Sequence, residues 1–207
     1  MDNYWNNRFQ KEKLMWGTEP GNVTIICEKV FRENNVKSIL IMGAGYGRNG
    51  KYFTDKNYTV DGVEYSEEAI RLGNIFCPEI NFIHASALDV KLGRQYDAVF
   101  CYSILHLFME NDRKKLLENC IGHCRKNGVI AISCCSVKDK SFGTGFKIEE
   151  NTYEIKPGKL LHFYPEEEMK NMSDKLENST IGYSTEKIET SERNEEYSMI
   201  YGLYKKK

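Results

Sequence analysis

Three glycines at alternate positions, Gly43, Gly45 and Gly47, close an apolar run that ends at Met42, and a second apolar run, 59–64, ends in an acid, Glu64. Glycines let a backbone turn sharply and approach a ligand closely. An acid at the end of the second strand can accept hydrogen bonds from ribose hydroxyls. The pairing suits a nucleoside-containing cofactor lying across the carboxyl ends of two parallel strands.

Other chemistry-bearing residues fall near the same predicted edge. His106 follows a further apolar run, 97–102, and has an unperturbed pKa suited to a general base; helix packing or capping is the competing role. Tyr102 ends that run. Cys101 and the vicinal pair Cys134–Cys135 close two predicted strands. Because strand side chains alternate, one of the pair must face each way. Thiolates there would suit a soft metalloid or chalcogen; as small apolar strand residues they would simply pack, the reading favoured here. Cys120, His123 and Cys124 lie within one helical turn, but two of them share an apolar stripe with Leu116 and Leu117, so they are read as core thiols and no metal site is expected.

These residues need elements to hold them. Val23, Ile26, Cys27, Val30 and Phe31 form one helical stripe over 20–35. Strands are expected at 38–43, 59–64, 80–84, 97–102 and 129–134, and helices at 46–55, from Ser66 to before Pro78, at 111–124 and at 165–177. Ser66 is the predicted cap of its helix, with acids in the first turn. Lys126-Asn127-Gly128 reads as a turn. Residues 137–162 are rich in Gly, Lys and Glu and read as an irregular excursion over one face. Two last strands, 181–190 and 196–204, leave no room for a helix between them and should form a hairpin. The class is α/β, a doubly wound, mainly parallel seven-stranded sheet with an antiparallel C-terminal hairpin strand.

Composition narrows the partners. The 207 residues are 41% hydrophobic and 29% charged, in the range of a folded domain. A formal net charge of -1 disfavours nucleic acid as a partner. No run approaches the roughly 20 apolar residues a membrane span needs, and the N-terminus lacks an apolar signal core. Seven cysteines, an odd number, suit a reducing compartment, so a cytoplasmic location is expected.

A dinucleotide fingerprint needs a further glycine three places after the second; Arg48 stands there, and the glycines run G-x-G-x-G. The chain then resembles the class I S-adenosylmethionine-dependent methyltransferases over nearly its whole length. Ile41 to Gly50 resembles their first motif, Val63 to Ser66 their strand-two motif, Phe82 to Asp89 the segment flanking adenine, Tyr96 to His106 their strand four and following loop, and Arg125 to Ile130 the turn into strand five. The resemblance implies a Rossmann-like fold, S-adenosyl-L-methionine as cofactor, and contacts to it from Gly43, Ala44, Gly45, Asn49, Glu64, Tyr65, Ser86, Ala87, Leu88 and Cys101, with Tyr102 near the methionine end. Ser86 departs from the usual Asp, so adenine recognition must lean on backbone near Ala87 and Leu88.

The stretches Tyr4 to Phe9 and Trp16 to Pro20 resemble the lid of small-molecule methyltransferases that include the thiopurine and tellurite-resistance enzymes, and Tyr153 to Tyr164 resembles their insertion before the last helix. The resemblance implies a lid arginine, here Arg8, pairing with the methionine carboxylate through its planar fork; a plain surface charge is the competing role. Trp16 would pack or touch the cofactor. The expected organisation is one methyltransferase domain over 1–207, with a lid and helix at 1–35 and a substrate-side insertion at 137–164. The expected function is methyl transfer to a small molecule (a thiol, a heterocycle, or a chalcogen or metalloid oxyanion), by a monomer or homodimer, with His106, Tyr102 and Cys135 as catalytic candidates. The alternative is a non-catalytic S-adenosylmethionine-binding sensor or partner subunit.

Overall fold

The structure is a computed structural model that describes residues 2–190 and 193–207. Apolar strands and amphipathic helices alternate: α1 (Asp2–Glu12), α2 (Asn22–Glu33), β1 (Ser38–Met42), α3 (Arg48–Thr54), β2 (Thr59–Glu64), α4 (Glu67–Phe76), β3 (Asn81–His84), β4 (Tyr96–Tyr102), α5 (Glu110–His123) and β5 (Cys124–Cys135). A single 3-10 turn, Leu105–Leu107, follows β4. Then come β6 (Phe146–Glu149), β7 (Thr152–Lys156), β8 (Lys159–His162), the short α6 (Glu166–Lys170), β9 (Leu176–Thr190) and β10 (Arg193–Lys206).

The main sheet has seven strands in the order β3-β2-β1-β4-β5-β10-β9. β1 is parallel to β2 and β4, and β4 to β5, while β10 runs antiparallel to β5 and to β9. A Rossmann-like α/β sheet with an antiparallel hairpin strand is thus the architecture. Parallel strands buried on both faces are apolar throughout, unlike half-exposed ones. β1 divides its side chains accordingly: Ile39 and Ile41 pack with Val23, Phe31 and Phe53 of α2 and α3, and Leu40 and Met42 with Leu116 and Cys120 of α5. The order reverses at β1 and β4, so their carboxyl ends diverge into a crevice.

Several boundaries depart from the sequence reading. α1 forms where only a lid was expected; Asn6 docks it on α4, its Oδ1 accepting from Ser66 Oγ and Glu68 N, both at 3.0 Å. The excursion after β5 is no irregular loop, since β6, β7 and β8 pair as a separate antiparallel sheet. The expected helix 165–177 shrinks to α6: Ser173 Oγ accepts from Lys175 N in a turn, and β9 takes the chain from Leu176 to pair with β10. The expected turn at 126–128 lies inside β5, where the pairing with β4 is irregular and Asn127 has φ 59°. Ser66 caps α4 as expected, accepting from Ala69 N at 3.1 Å.

Candidate functional site

The loop after β1 has three glycines with positive φ, of which Gly43 (72°) and Gly45 (56°) matter most. A Cβ on Gly43 would sit 2.5 Å from Ile104 Cδ1. The Gly45 N–H donates to Glu64 Oε2 at 2.7 Å, and the Tyr65 and Ser66 N–H groups donate to Oε1 at 2.8 Å each. Two strand ends are thereby stapled around one carboxylate. Burial pushes the Glu64 carboxyl pKa up, against the pull of those backbone donors. A carboxylate offers about four acceptor positions; with three filled, Oε2 keeps one open.

A cleft of about 340 Å³ opens over these strand ends. It is lined by Arg8 and Trp16 from the N-terminal segment, by Gly43, Ala44, Gly45 and Asn49 around the loop, and by Glu64 and Tyr65 after β2. Ser86, Ala87 and Leu88 line it after β3, with Tyr102, His106 and Cys135 beyond β4 and β5. Cys101 alone of the expected set is not among the lining residues. Its side chain is buried against Leu40, Leu116 and Cys120 on the α5 face, because alternation along β4 turns it away from Tyr102. Cys134 is in the same core, and Cys135 faces the cleft, as alternation requires.

The N-terminal segment is tied to the loop. The Tyr46 hydroxyl donates to Gly17 O (2.6 Å) and accepts from Trp16 N (3.1 Å), the two rings stack at 5.9 Å, and Arg48 Nη1 donates to Trp16 O at 2.9 Å. Arg8 lies over the Trp5 ring and donates to Glu12 from Nε at 3.1 Å. Across the cleft, Ser86 Oγ accepts from Leu88 N (3.2 Å), and Asn119 Nδ2 donates to Ala87 O (2.6 Å). The Ser86 hydroxyl thus accepts within its own turn and keeps its O–H for another partner.

Tyr102 stacks on Phe100 at 5.5 Å, with its hydroxyl buried over Gly21. Among the described residues neither that hydroxyl nor Glu186 Oε1, buried nearby, has a hydrogen-bond partner; Glu186 Oε2 is 4.0 Å from Arg48 Nη2. Burial, then the Glu186 charge, pushes the Tyr102 pKa up. Residues the sequence reading missed in the cleft are Arg48, Lys159, Leu161, Glu186, Tyr197 and Met199. Only the G-x-G-x-G-R pattern and the 153–164 segment had pointed toward any of them; Glu186 and Tyr197 depend on how the hairpin folds back.

His106 is a proton donor here. Its Nδ1 accepts from Cys135 N at 3.1 Å, so the neutral ring carries its proton on Nε2, which lies 3.7 Å from Cys135 Sγ. Burial, then the nearby charge of Lys159, drops its pKa from 6.5 to about 3. The unfolded chain protonates this residue near pH 6.5 and the folded one near 3, so its stabilising contribution is complete above 6.5 and is lost as pH falls. His106→Asn can keep the Nδ1-type acceptor without the titration. Urea unfolding at pH 7.5 and 5.0 should show wild type losing about 2 kcal/mol more than this variant; equal losses would contradict the buried neutral ring. Among the described residues, no group of three or more His, Cys, Asp or Glu is placed to hold a metal, and no helix is long and apolar enough to cross a membrane.

Comparison with known proteins bears on this geometry. The family profile described as a methyltransferase domain matches residues 39–128, from β1 into β5. A ubiquinone biosynthesis O-methyltransferase of Rickettsia felis is 23% identical over 153 residues, 70% of this chain and 62% of that protein. The chain thus spans less than two thirds of that relative. Among solved structures, TehB from Haemophilus influenzae superposes with a TM-score of 0.70 at 15% identity, covering 98% of this chain and 67% of that one. An S-adenosylmethionine-dependent methyltransferase from Clostridium acetobutylicum also gives 0.70, at 16% identity, over 96% of this chain and 98% of that one. The matched segment covers the first four strands of the main sheet and the loop with its acid, and the likeness to the solved structures shows the Rossmann-like fold these methyltransferases share.

Proposed function

We propose that the protein transfers the methyl group of S-adenosylmethionine to a small-molecule acceptor through a soft or readily ionised atom: a thiol, a heterocycle, or a chalcogen or metalloid oxyanion. One observation carries this reading: the Glu64 carboxylate, fixed by the Gly45, Tyr65 and Ser66 amides at the head of a cleft floored by the glycine loop. The residues fit the cofactor. Glu64 Oε2 has an acceptor position left for a ribose hydroxyl, and Gly45, at φ 56° beside the Trp16 ring, leaves the backbone bare on the cleft floor. The Ala87 N–H, whose neighbours Leu88 and Asp89 donate within the turn, is the backbone donor for adenine.

The bound cofactor supplies an activated methyl group on a positively charged sulfur. The chain's own work is positioning, with the acceptor atom about 3 Å from the methyl carbon and in line with the bond that breaks. Arg8 is the cation assigned to the methionine carboxylate. Ser103, which lines the cleft, is held at φ 55° with its N–H on Ser133 O at 2.8 Å; this sharp turn aims the chain after β4 over the site. The Rickettsia felis relative, a ubiquinone biosynthesis O-methyltransferase, supports a small-molecule acceptor. Calorimetric titration with S-adenosylhomocysteine should give micromolar binding, with NADPH inert. No binding, or tight NADPH binding, would overturn the reading.

A further inference from the structure

The acceptor end of the cleft is built by elements distant in sequence from the glycine loop. Cys135 ends β5, three strand positions and so about 14 Å across the sheet from Glu64 on β2. Around it stand His106 from the 3-10 turn, Lys159 and Leu161 of β8, and Tyr197 and Met199 of β10. A second, shallower cavity adjoins it and shares Arg8, Lys159 and Tyr197 with the cleft.

Resting on the methyltransferase reading, we propose that this end receives an acceptor already anionic at neutral pH, a thiolate or an oxyanion, with Lys159 as its counter-charge. The uncharged polar groups there hold their protons, and the two nearby carboxylates, Glu186 and Glu195, are engaged with other groups. Lys159 forms no ion pair among the described residues, although it is partly buried and faces a second cation, Arg8. Burial and Arg8 pull its pKa down, the pressure that a bound anion relieves. His106 offers only Nε2–H. Burial holds the Cys135 thiol protonated, with its pKa up at about 12. The Tyr197 hydroxyl donates to Glu195. Glu195, on the rim of the second cavity, is thereby bound, and Glu186 turns one oxygen to Arg48 while the other is closed off beside Gly21.

With no base in place, the acceptor must bring its own electron pair. That pair forms the new bond to the methyl carbon as the methyl–sulfur bond breaks and its electrons stay on sulfur. The negative charge of the acceptor and the positive charge of the sulfonium cancel, and no proton moves.

The test uses protein saturated with S-adenosylhomocysteine and titrated at pH 7.5 with 4-nitrothiophenol, a coloured thiolate, and with its uncharged S-methyl ether. Wild type should bind the thiolate at least tenfold more tightly than the ether. Lys159→Met should lose that preference, and Lys159→Arg should keep most of it. The absorbance titration should also show the bound thiol ionising at lower pH in wild type than in Lys159→Met. Selenite that displaces the thiolate assigns the oxyanion source; selenite that does not assigns the thiolate. Equal binding of thiolate and ether, a preference that survives Lys159→Met, or failure of both thiolate and selenite to bind would overturn the proposal. S-adenosylhomocysteine affinity is read on the same samples: its absence in wild type would sink the cofactor reading instead.

Discussion

Glu64→Ala is expected to abolish measurable S-adenosylhomocysteine binding and to lower the melting temperature in the same molecule. The carboxylate does two jobs through different oxygens. It receives the Gly45, Tyr65 and Ser66 amides, and it presents the remaining position on Oε2 to the cleft. A charge-assisted hydrogen bond to a ligand is worth about 1.5–3 kcal/mol. Once the acid is gone, the loop also loses the anchor that holds Gly45 in place, so the loss should exceed a hundredfold. Three amides, those of Gly45 and Ser66 in buried bonds, lose their acceptor, at about 1 kcal/mol each where the cleft lets water replace it. For a chain of this size that is a fall of roughly 6–12 °C. Glu64→Gln should rescue little, because its NH₂ must face either Gly45 N–H or the Tyr65–Ser66 pair, donor against donor. Calorimetry and thermal unfolding read both effects, and wild-type affinity in Glu64→Ala would remove the site from this position.

Asp61→Ala, three residues earlier on the same strand, should destabilise the protein about as much and leave cofactor affinity alone. Asp61 is 3% exposed and accepts from the Tyr96 hydroxyl at 2.5 Å, from Asn81 Nδ2 at 3.2 Å and from Arg94. It thereby links β2 to β3 and, past β1, to the start of β4. Arg94 is half exposed and can turn to water. Tyr96 is 2% exposed and cannot; burial, then Asp61, pushes its pKa up to about 12. A buried hydroxyl without its acceptor costs about 1–3 kcal/mol, and the lost charge-assisted bonds add to this, for about 3 kcal/mol in all. In the double variant with Tyr96→Phe the orphaned hydroxyl is gone, so the two losses should fall short of additivity by about 1 kcal/mol. Additive losses, or a tenfold change in S-adenosylhomocysteine affinity, would contradict this account. Asp61 does not line the cleft.

The cofactor half was legible because its signals are local. Gly43, Gly45 and Glu64 announce a strand-end site by type and spacing, and Ser66 announces its helix by capping chemistry. Cys101 shows the limit of such reading. Position at a strand end was clear, but the face it occupies depends on the register of β4 against its neighbours, and it packs on α5. The acceptor half is non-local. Lys159 meets His106 because β8 folds over the 3-10 turn, and Glu186 meets Arg48 because a long hairpin runs back along the sheet. Neither pairing leaves a pattern within any one window of residues. The helix expected at 165–177 failed for a related reason: Pro165 and the acids behind it open a helix well, but β10 offers Leu176 onward a full row of backbone partners, and the strand wins.

The two halves of the cleft also differ in how the chain must change to alter them. The nucleoside half is cut from the strands that carry the core, so Gly43 and Glu64 cannot vary without disturbing β1 and β2. Among the described residues the β6–β8 sheet pairs only with itself, and the one strand-type pairing near its join to the main sheet is the bridge Ser136–Tyr164. Thr152, Leu161 and His162 are buried, but 146–148 and 156–158 are exposed and can change at less expense to folding, close in sequence to Lys159 and Leu161, which line the cleft. On the proposed function, a change of acceptor would then be reached through the more replaceable strands of the molecule, while the glycine loop and Glu64 stayed fixed by the sheet that carries them.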